Sequence, residues 1–185
     1  MRQLGIHAMV RLRTLDWPGD RAAVLALDTS YVTDRTLRLE LTPRSASLVE
    51  DVLPAPLRHD YNLADTVDAL PNFAWVRMAH DGAGVVGVAA LAFETWNRRA
   101  RLEHLYVGAG ERGRGVGRAL IEAAVEAAGA LGARGVWVET QTTNVAAVRF
   151  YERAGFRWCG LDSSLYDPAA VADGEVGLFF FRQIR

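Results

Sequence analysis

The sequence predicts an α/β protein built around one mixed sheet. Strand-like runs crowd the first hundred or so positions, and the remainder alternates in the order β-α-β-α-β-β. A glycine-rich loop, Arg112-Gly113-Arg114-Gly115-Val116-Gly117, joins the strand-like Arg101–Val107 to a helix-like run. At 185 residues the chain reads most simply as a single domain, 1–185, long enough to bury a sizeable core.

Taken in order, Met9–Thr14 reads as a first strand. Asp16-Trp17-Pro18-Gly19 turns into a short helix over Ala22–Leu27, with proline near a helix start where its missing N–H does no harm. Thr36–Leu41 alternates apolar and polar residues as a half-buried strand does, with Ser47–Val52 as its partner; Arg58–Leu70 reads as a loop with a helical turn. Phe73–Ala79 and Gly84–Phe93 form a hairpin around Asp81-Gly82. Trp96-Asn97-Arg98-Arg99 turns into strand Arg101–Val107. Helix Val116–Leu131, strand Gly135–Thr140, helix Val145–Ala154, strand Phe156–Leu161 and strand Val176–Phe181 follow.

Composition narrows the function classes. Half the residues are hydrophobic and the formal net charge is −1, so no global field points to nucleic acid or a membrane surface. No apolar run approaches the roughly 20 residues that span a bilayer, and the amino terminus lacks a signal-peptide pattern. A cytoplasmic protein is expected. The single cysteine, Cys159, excludes an internal disulfide and a cysteine-based metal site, and no metal is expected.

The glycine loop points to a phosphorylated cofactor. Glycines let the backbone approach a ligand and take positive φ. A helix start beyond them offers unpaired N–H groups and a positive dipole end, and arginines add charge-assisted donors. A Walker-type loop requires lysine, and the chain has none. Gly108-Ala109-Gly110-Glu111-Arg112-Gly113 is a literal dinucleotide fingerprint, with Glu139 closing the next strand. That register starts the helix near Gly110 and puts Gly113, Gly115 and Gly117 in its first turns, where each interior glycine costs about 0.5–1 kcal/mol relative to alanine. Starting the helix after Gly115 keeps the glycines in the loop. A plain glycine-rich turn with solvated arginines is the remaining alternative.

In the later register, Arg112-x-x-Gly115-x-Gly117 resembles the acetyl-CoA loop of the Gcn5-related N-acetyltransferases (GNAT). A second block supports the resemblance: Glu139-Thr140-Gln141, then Asn144, then Phe150-Tyr151-Glu152-Arg153-Ala154-Gly155-Phe156. The resemblance implies a mixed, mostly antiparallel central sheet flanked by helices, with an acetyl-CoA cleft where the central strands splay. It implies that Arg112, Gly113, Arg114, Gly115, Val116, Gly117 and Arg118 hold the pyrophosphate. The strand around Leu105, Tyr106 and Val107 would pair with the pantetheine amides, the Val107 N–H polarising the acetyl carbonyl. Asn144 would touch the pantetheine arm, and its residue type equally suits a helix N-cap.

Amine acetylation sets chemical demands. The amine attacks only when neutral, yet a free alkylamine has a pKa near ~10.4. The site must take a proton, stabilise an oxyanion and protonate the departing thiolate of CoA. The absence of a convincing Ser-His-Asp or Cys-His set suits direct transfer. By resemblance, Tyr151 is the general acid beside the CoA sulfur; read alone, it is a core aromatic packed with Phe150 and Phe156. Glu103 occupies a place where relatives carry an acidic residue, and so is the general-base candidate. His104 has a suitable intrinsic pKa but points to the opposite face of the strand, so only one of the two should face the cleft.

A narrower resemblance is to the streptothricin (nourseothricin) acetyltransferases, resistance enzymes that acetylate an amine of an antibiotic. It rests on Pro18-Gly19-Asp20, Trp96-Asn97-Arg98-Arg99, Gly115-Val116-Gly117-Arg118-Ala119-Leu120, Cys159-Gly160-Leu161-Asp162, Leu165-Tyr166-Asp167 and Asp173-Gly174-Glu175. The dense acidic run that some members carry before the central hairpin is reduced here to Asp60, Asp65 and Asp68. Glu94, Trp96 and Asp162 are the candidate acceptor-binding residues, and each carboxylate could equally be a solvated surface charge. A small-molecule amine is thus the expected partner, with no nucleic acid and no membrane, in a family that often dimerises. A protein N-terminal or lysine acetyltransferase, or a non-catalytic acyl-CoA- or dinucleotide-binding module, are the alternatives.

Overall fold

A computed structural model describes residues 10–172 and 174–184; Met9 and Asp173, named above, lie outside them. The strands are β1 (Arg11–Thr14), β2 (Tyr31–Thr42), β3 (Ser45–His59), β4 (Trp75–His80), β5 (Val85–Glu94), β6 (Arg99–Val107), β7 (Gly135–Gln141), β8 (Arg157–Asp162) and β9 (Gly177–Gln183). The helices are α1 (Arg21–Leu25), α2 (Val116–Ala130) and α3 (Val145–Arg153). Short 3-10 turns fill Leu63–Asp65, Val67–Asn72 and Ala109–Glu111. Seven strands form one sheet in the order β1-β4-β5-β6-β7-β9-β8, antiparallel at every step except β6–β7.

The central strands are nearly continuous apolar runs because both faces of the sheet are covered. On one face, Ala89, Leu91 and Leu102 meet the α2 stripe Val116, Leu120, Ile121, Ala124 and Ala128. Its spacing follows the helical period, and the alanines let helix and sheet approach closely. On the other face, Met78, Val88 and Ala90 pack with Val24, Leu63, Val67 and Leu70 from α1 and the 3-10 turns. No described helix is long and apolar enough to cross a membrane.

β2 and β3 form a separate two-stranded arm. Leu37, Leu39 and Leu48 pack against the main core, the Leu37 N–H donates to the Thr142 carbonyl at 3.0 Å, and Glu50 accepts from both Arg35 and Arg149. β3 runs beyond the expected Val52, across Pro54 and Pro56, to His59. The pairing skips there, from Arg35–Val52 to Thr33–Leu57, which accommodates prolines that cannot donate to a ladder. The stretch at Arg58–Leu70 resolves into the end of β3 and 3-10 turns that support the sheet's second face.

Candidate active site

β6 and β7 pair only at Ala100–Val136 and Arg101–Trp137. The cause lies one strand back. β5 sets Leu91 opposite Leu102 but Ala90 opposite His104, so Glu103 is the extra residue of a bulge. A bulge bends its strand and increases the twist, while β7 pairs along its whole length with β9 instead. Between the diverging strands opens a cavity of about 520 Å³. The inner edges of Leu102–Val107 and Val138–Gln141 therefore face it without a strand partner.

The glycine loop closes one end of the cavity. α2 begins at Val116, and a 3-10 turn occupies the Gly110 region where the dinucleotide register would start its helix. Gly113 and Gly115 have φ of +76° and +88°. A Cβ at either would meet no atom within 4 Å, so backbone conformation and not crowding selects glycine there. Gly115 is also the N-cap and supplies no side-chain acceptor, which leaves the first-turn N–H groups of a 15-residue helix without a side-chain cap. Gly117 has a packing reason: its Cβ would lie 3.1 Å from Cζ of Phe150.

The loop arginines are engaged within the protein. The Arg112 guanidinium donates to the carbonyls of Ser30 (2.7 Å), Thr29 (3.0 Å) and Val107 (3.2 Å). It thereby ties the loop to the start of β2 and the end of β6. Arg114 pairs with Glu111. Arg118 lines the cavity and forms no salt bridge among the described residues.

α3 supplies the floor. The Asn144 side chain accepts from the Ala147 N–H at 3.1 Å, a helix N-cap, and its amide donates to the Tyr61 hydroxyl at 3.2 Å. Tyr61 in turn donates to Gln141 at 3.0 Å. Tyr151 lines the cavity while its ring packs with Phe150, Phe156 and Phe180. Burial, above all, pushes the Tyr151 hydroxyl well above the ordinary phenol range, so it holds its proton at neutral pH.

The opposite wall is acidic and aromatic. Glu103 lines the cavity and pairs with Arg101, which stacks over Trp137 with its centre 5.7 Å from the ring. Tyr31, Tyr61 and Tyr106 add aromatic surface, and burial pushes the Tyr106 hydroxyl up to about 12. Glu139 accepts from the Tyr166 hydroxyl. Burial, with Glu175 and Glu103 nearby, lifts its carboxyl above the usual carboxylate range against the opposing pull of the Tyr166 bond. His104 does not line the cavity; it packs edge-on to Phe73, and burial and Arg101 push it down to about 4.

The structure thus brings Glu103, Leu105, Tyr106, Val107, Arg112, Gly113, Gly115, Gly117, Arg118, Asn144 and Tyr151 around one cavity. Arg114 belongs to the same loop, and Val116, the first residue of α2, is buried in the core. Glu94, Trp96 and Asp162 do not line the cavity. Glu94 accepts from Trp137, Asn97 and Arg99 and anchors the turn after β5. Trp96 at that turn is 84% exposed, and Asp162 accepts from Ser164 in a local turn. Sequence reasoning quoted Glu139 and Gln141 in motif blocks without giving either a role in the acetyl-CoA site, and it singled out neither Tyr31 nor Tyr61.

The acetyltransferase (GNAT) family model matches residues 39–156. A streptothricin acetyltransferase from Streptomyces lavendulae is 34% identical over 117 residues, 59% of this chain and 61% of that protein, so the match spans about three-fifths of the relative. The crystal structure of a nourseothricin acetyltransferase superposes with a TM-score of 0.83 at 35% identity, covering 95% of this chain and 99% of that one. A Bacillus anthracis structure in complex with acetyl coenzyme A superposes with a TM-score of 0.81 at 25% identity, covering 95% and 100%. The splayed strands, the uncapped helix start and these likenesses agree, and the chain belongs to the acetyltransferase (GNAT) family.

Proposed function

We propose that this protein is an acetyl-CoA-dependent N-acetyltransferase acting on an amine of a small cationic molecule, with streptothricin-type antibiotics as the leading acceptors. The observation that carries the reading is the cavity between β6 and β7, with an uncapped helix start at one end and an acidic, aromatic wall at the other. The residues fit the donor. N–H groups from Gly113 to Gly117 and the Arg118 guanidinium suit a pyrophosphate, with Arg112 and Arg114 fixing the loop that presents them. The open edges of β6 and β7 suit an amide-bearing arm, and Asn144 stands beside that path. The bound donor supplies an activated thioester.

The chain's own groups supply the remainder. A backbone N–H near Val107, on the open edge of β6, suits an oxyanion. Tyr151, which keeps its proton, is the general acid for the leaving thiolate. The acidic wall formed by Glu139 and the Arg101-paired Glu103 favours an ammonium-bearing acceptor. Such a donor is an intracellular metabolite, which supports a cytoplasmic activity.

An acetyl-CoA assay reading free CoA thiol against a panel of streptothricin, polyamines, aminoglycosides and peptide amines tests the reading. Turnover with streptothricin supports it. Turnover with peptide amines alone would transfer the chain to the protein-acetylating class. A thermal shift with NAD and none with acetyl-CoA would restore the dinucleotide alternative.

A further inference from the structure

Thr29 precedes and Tyr61 follows the β2–β3 arm, so both ends of the arm return to the cavity that these residues line. The glycine loop that opens α2 lies to one side of them, and the start of α3 at Asn144 to the other. Phe150 of α3 packs beside Gly117 of α2, an apolar contact that sets spacing without directing polar groups. A polar connection between the two helix starts runs through the roots of the arm. The Arg112 guanidinium donates to the Thr29 carbonyl at 3.0 Å, and the Thr29 hydroxyl donates to the Tyr61 carbonyl at 3.2 Å. The Tyr61 hydroxyl accepts from the Asn144 amide at 3.2 Å and donates to the Gln141 side chain at 3.0 Å. Asn144 completes the series by accepting from the Ala147 N–H at 3.1 Å. Thr29 is buried, and burial, above all, lifts the Tyr61 hydroxyl above the ordinary phenol range, so it keeps the proton that it donates. Removing one member leaves its neighbours unpaired where water reaches poorly, so the series holds or loosens as a unit.

We propose that Thr29 and Tyr61 are positioning residues that hold two halves of the acetyl-CoA site, the glycine loop and the Asn144 end of α3, at one fixed spacing. The proposal rests on the acetyltransferase reading above. Neither residue needs to touch the reacting atoms, because they act through Arg112 and Asn144. A long ligand gripped at both ends gains from the second grip only when the two stand at the spacing that matches it. A fragment that carries the diphosphate alone makes no such demand. The roots of the arm therefore matter for the whole acetyl donor and not for its nucleotide end taken by itself.

The test is calorimetry on the free protein, titrated with acetyl-CoA and separately with ADP, which carries the diphosphate without the pantetheine arm. Tyr61→Phe and Thr29→Val, both near-isosteric, are each expected to weaken acetyl-CoA by roughly 3- to 10-fold and to leave ADP within about twofold of the wild type. The double variant should lose less than the product of the two single losses, because both interrupt one series. In the free protein, amide exchange at Ala147 should quicken in Thr29→Val, three hydrogen bonds away from the substituted side chain. Equal losses for acetyl-CoA and ADP would mean a general loosening of the loop and would overturn the proposal. Unchanged acetyl-CoA affinity with a raised KM for the acceptor alone would also overturn it, making Tyr61 an acceptor contact. An Ala147 exchange rate that neither variant moves overturns it as well. If the wild type binds no acetyl-CoA, the acetyltransferase reading itself fails and the proposal falls with it.

Discussion

The hydroxyl of Tyr166 donates to the carboxylate of Glu139 across 27 residues of sequence, and Glu139 lines the cavity between β6 and β7. The bond offsets part of the cost of burying Glu139 but does not remove it, since that carboxyl remains lifted. A consequence for stability follows. The folded state binds the Glu139 proton more tightly than the unfolded chain does. The group therefore costs nothing below its unfolded pKa and destabilises as pH rises through its folded one. Glutamine keeps an acceptor for Tyr166 without the charge. Glu139→Gln is expected to raise Tm at pH 8, with the gain shrinking towards pH 4. An unchanged or lower Tm at pH 8 would contradict the burial argument.

His104 predicts the opposite window. Its imidazole is held down to about 4 by burial and Arg101, against about 6.5 in an unfolded chain. Its contribution to stability is present above pH 6.5 and is lost as pH falls towards 4. His104→Gln is expected to flatten acid unfolding across that window, measured by circular dichroism melts at half-unit steps.

How much of this was legible depends on the range over which each cause acts. The loop register was readable because glycine's φ preference is local: Gly113 and Gly115 take positive φ and α2 starts at Val116. The Asn144 cap was readable for the same reason. The Arg112 latch was not, because its carbonyl partners at Thr29 and Ser30 lie 83 and 82 residues away. The bulge at Glu103 exists only in the register of β6 against β5, which no single-strand pattern encodes. Tyr61 follows β3 in a stretch without periodicity, so its place beside Asn144 emerges only from tertiary packing.

Arg112 yields the third prediction. Its fork satisfies three carbonyls from two segments, and hydrogen bonds to a charged group contribute about 1.5–3 kcal/mol each when well buried, less at an exposed site. Arg112→Ala is expected to destabilise by about 1–2 kcal/mol and to raise KM for acetyl-CoA more than KM for the acceptor. Arg112→Lys rescues little, since an ammonium cannot span the fork. Equal effects on both KM values would mean that the latch does not shape the donor loop.

Gly115 separates conformation from contact. Alanine at φ +88° is strained although its Cβ would touch nothing, a cost of about 1–2 kcal/mol. Gly115→Ala is expected to weaken acetyl-CoA binding, measured by calorimetry, and Gly115→Asn to recover part of it because asparagine tolerates the left-handed region. Gly117→Ala fails differently, by pressing on Phe150, and should lower Tm. Full affinity in Gly115→Ala would show that this N-cap is not part of the phosphate cradle.

The core role of Tyr151 and its proposed general-acid role are distinguished by one atom. The ring centroid lies 5.5 Å from Phe150, 5.6 Å from Phe156 and 6.4 Å from Phe180, so Tyr151→Phe preserves the packing. Near-isosteric core changes of this kind usually cost less than about 1.5 kcal/mol, whereas Tyr151→Ala would open a cavity at about 3–5 kcal/mol. On the proposed role, loss of the hydroxyl alone removes the proton donor to the leaving thiolate. Tyr151→Phe is therefore expected to fold with wild-type Tm, to bind CoA normally, and to lose about 10- to 100-fold in kcat at little change in KM. A thioester analogue whose leaving thiol has a lower pKa needs less protonation and should restore part of the rate. If Tyr151→Phe turns over at the wild-type rate, the residue is a core aromatic and the acid must be sought elsewhere in the cleft.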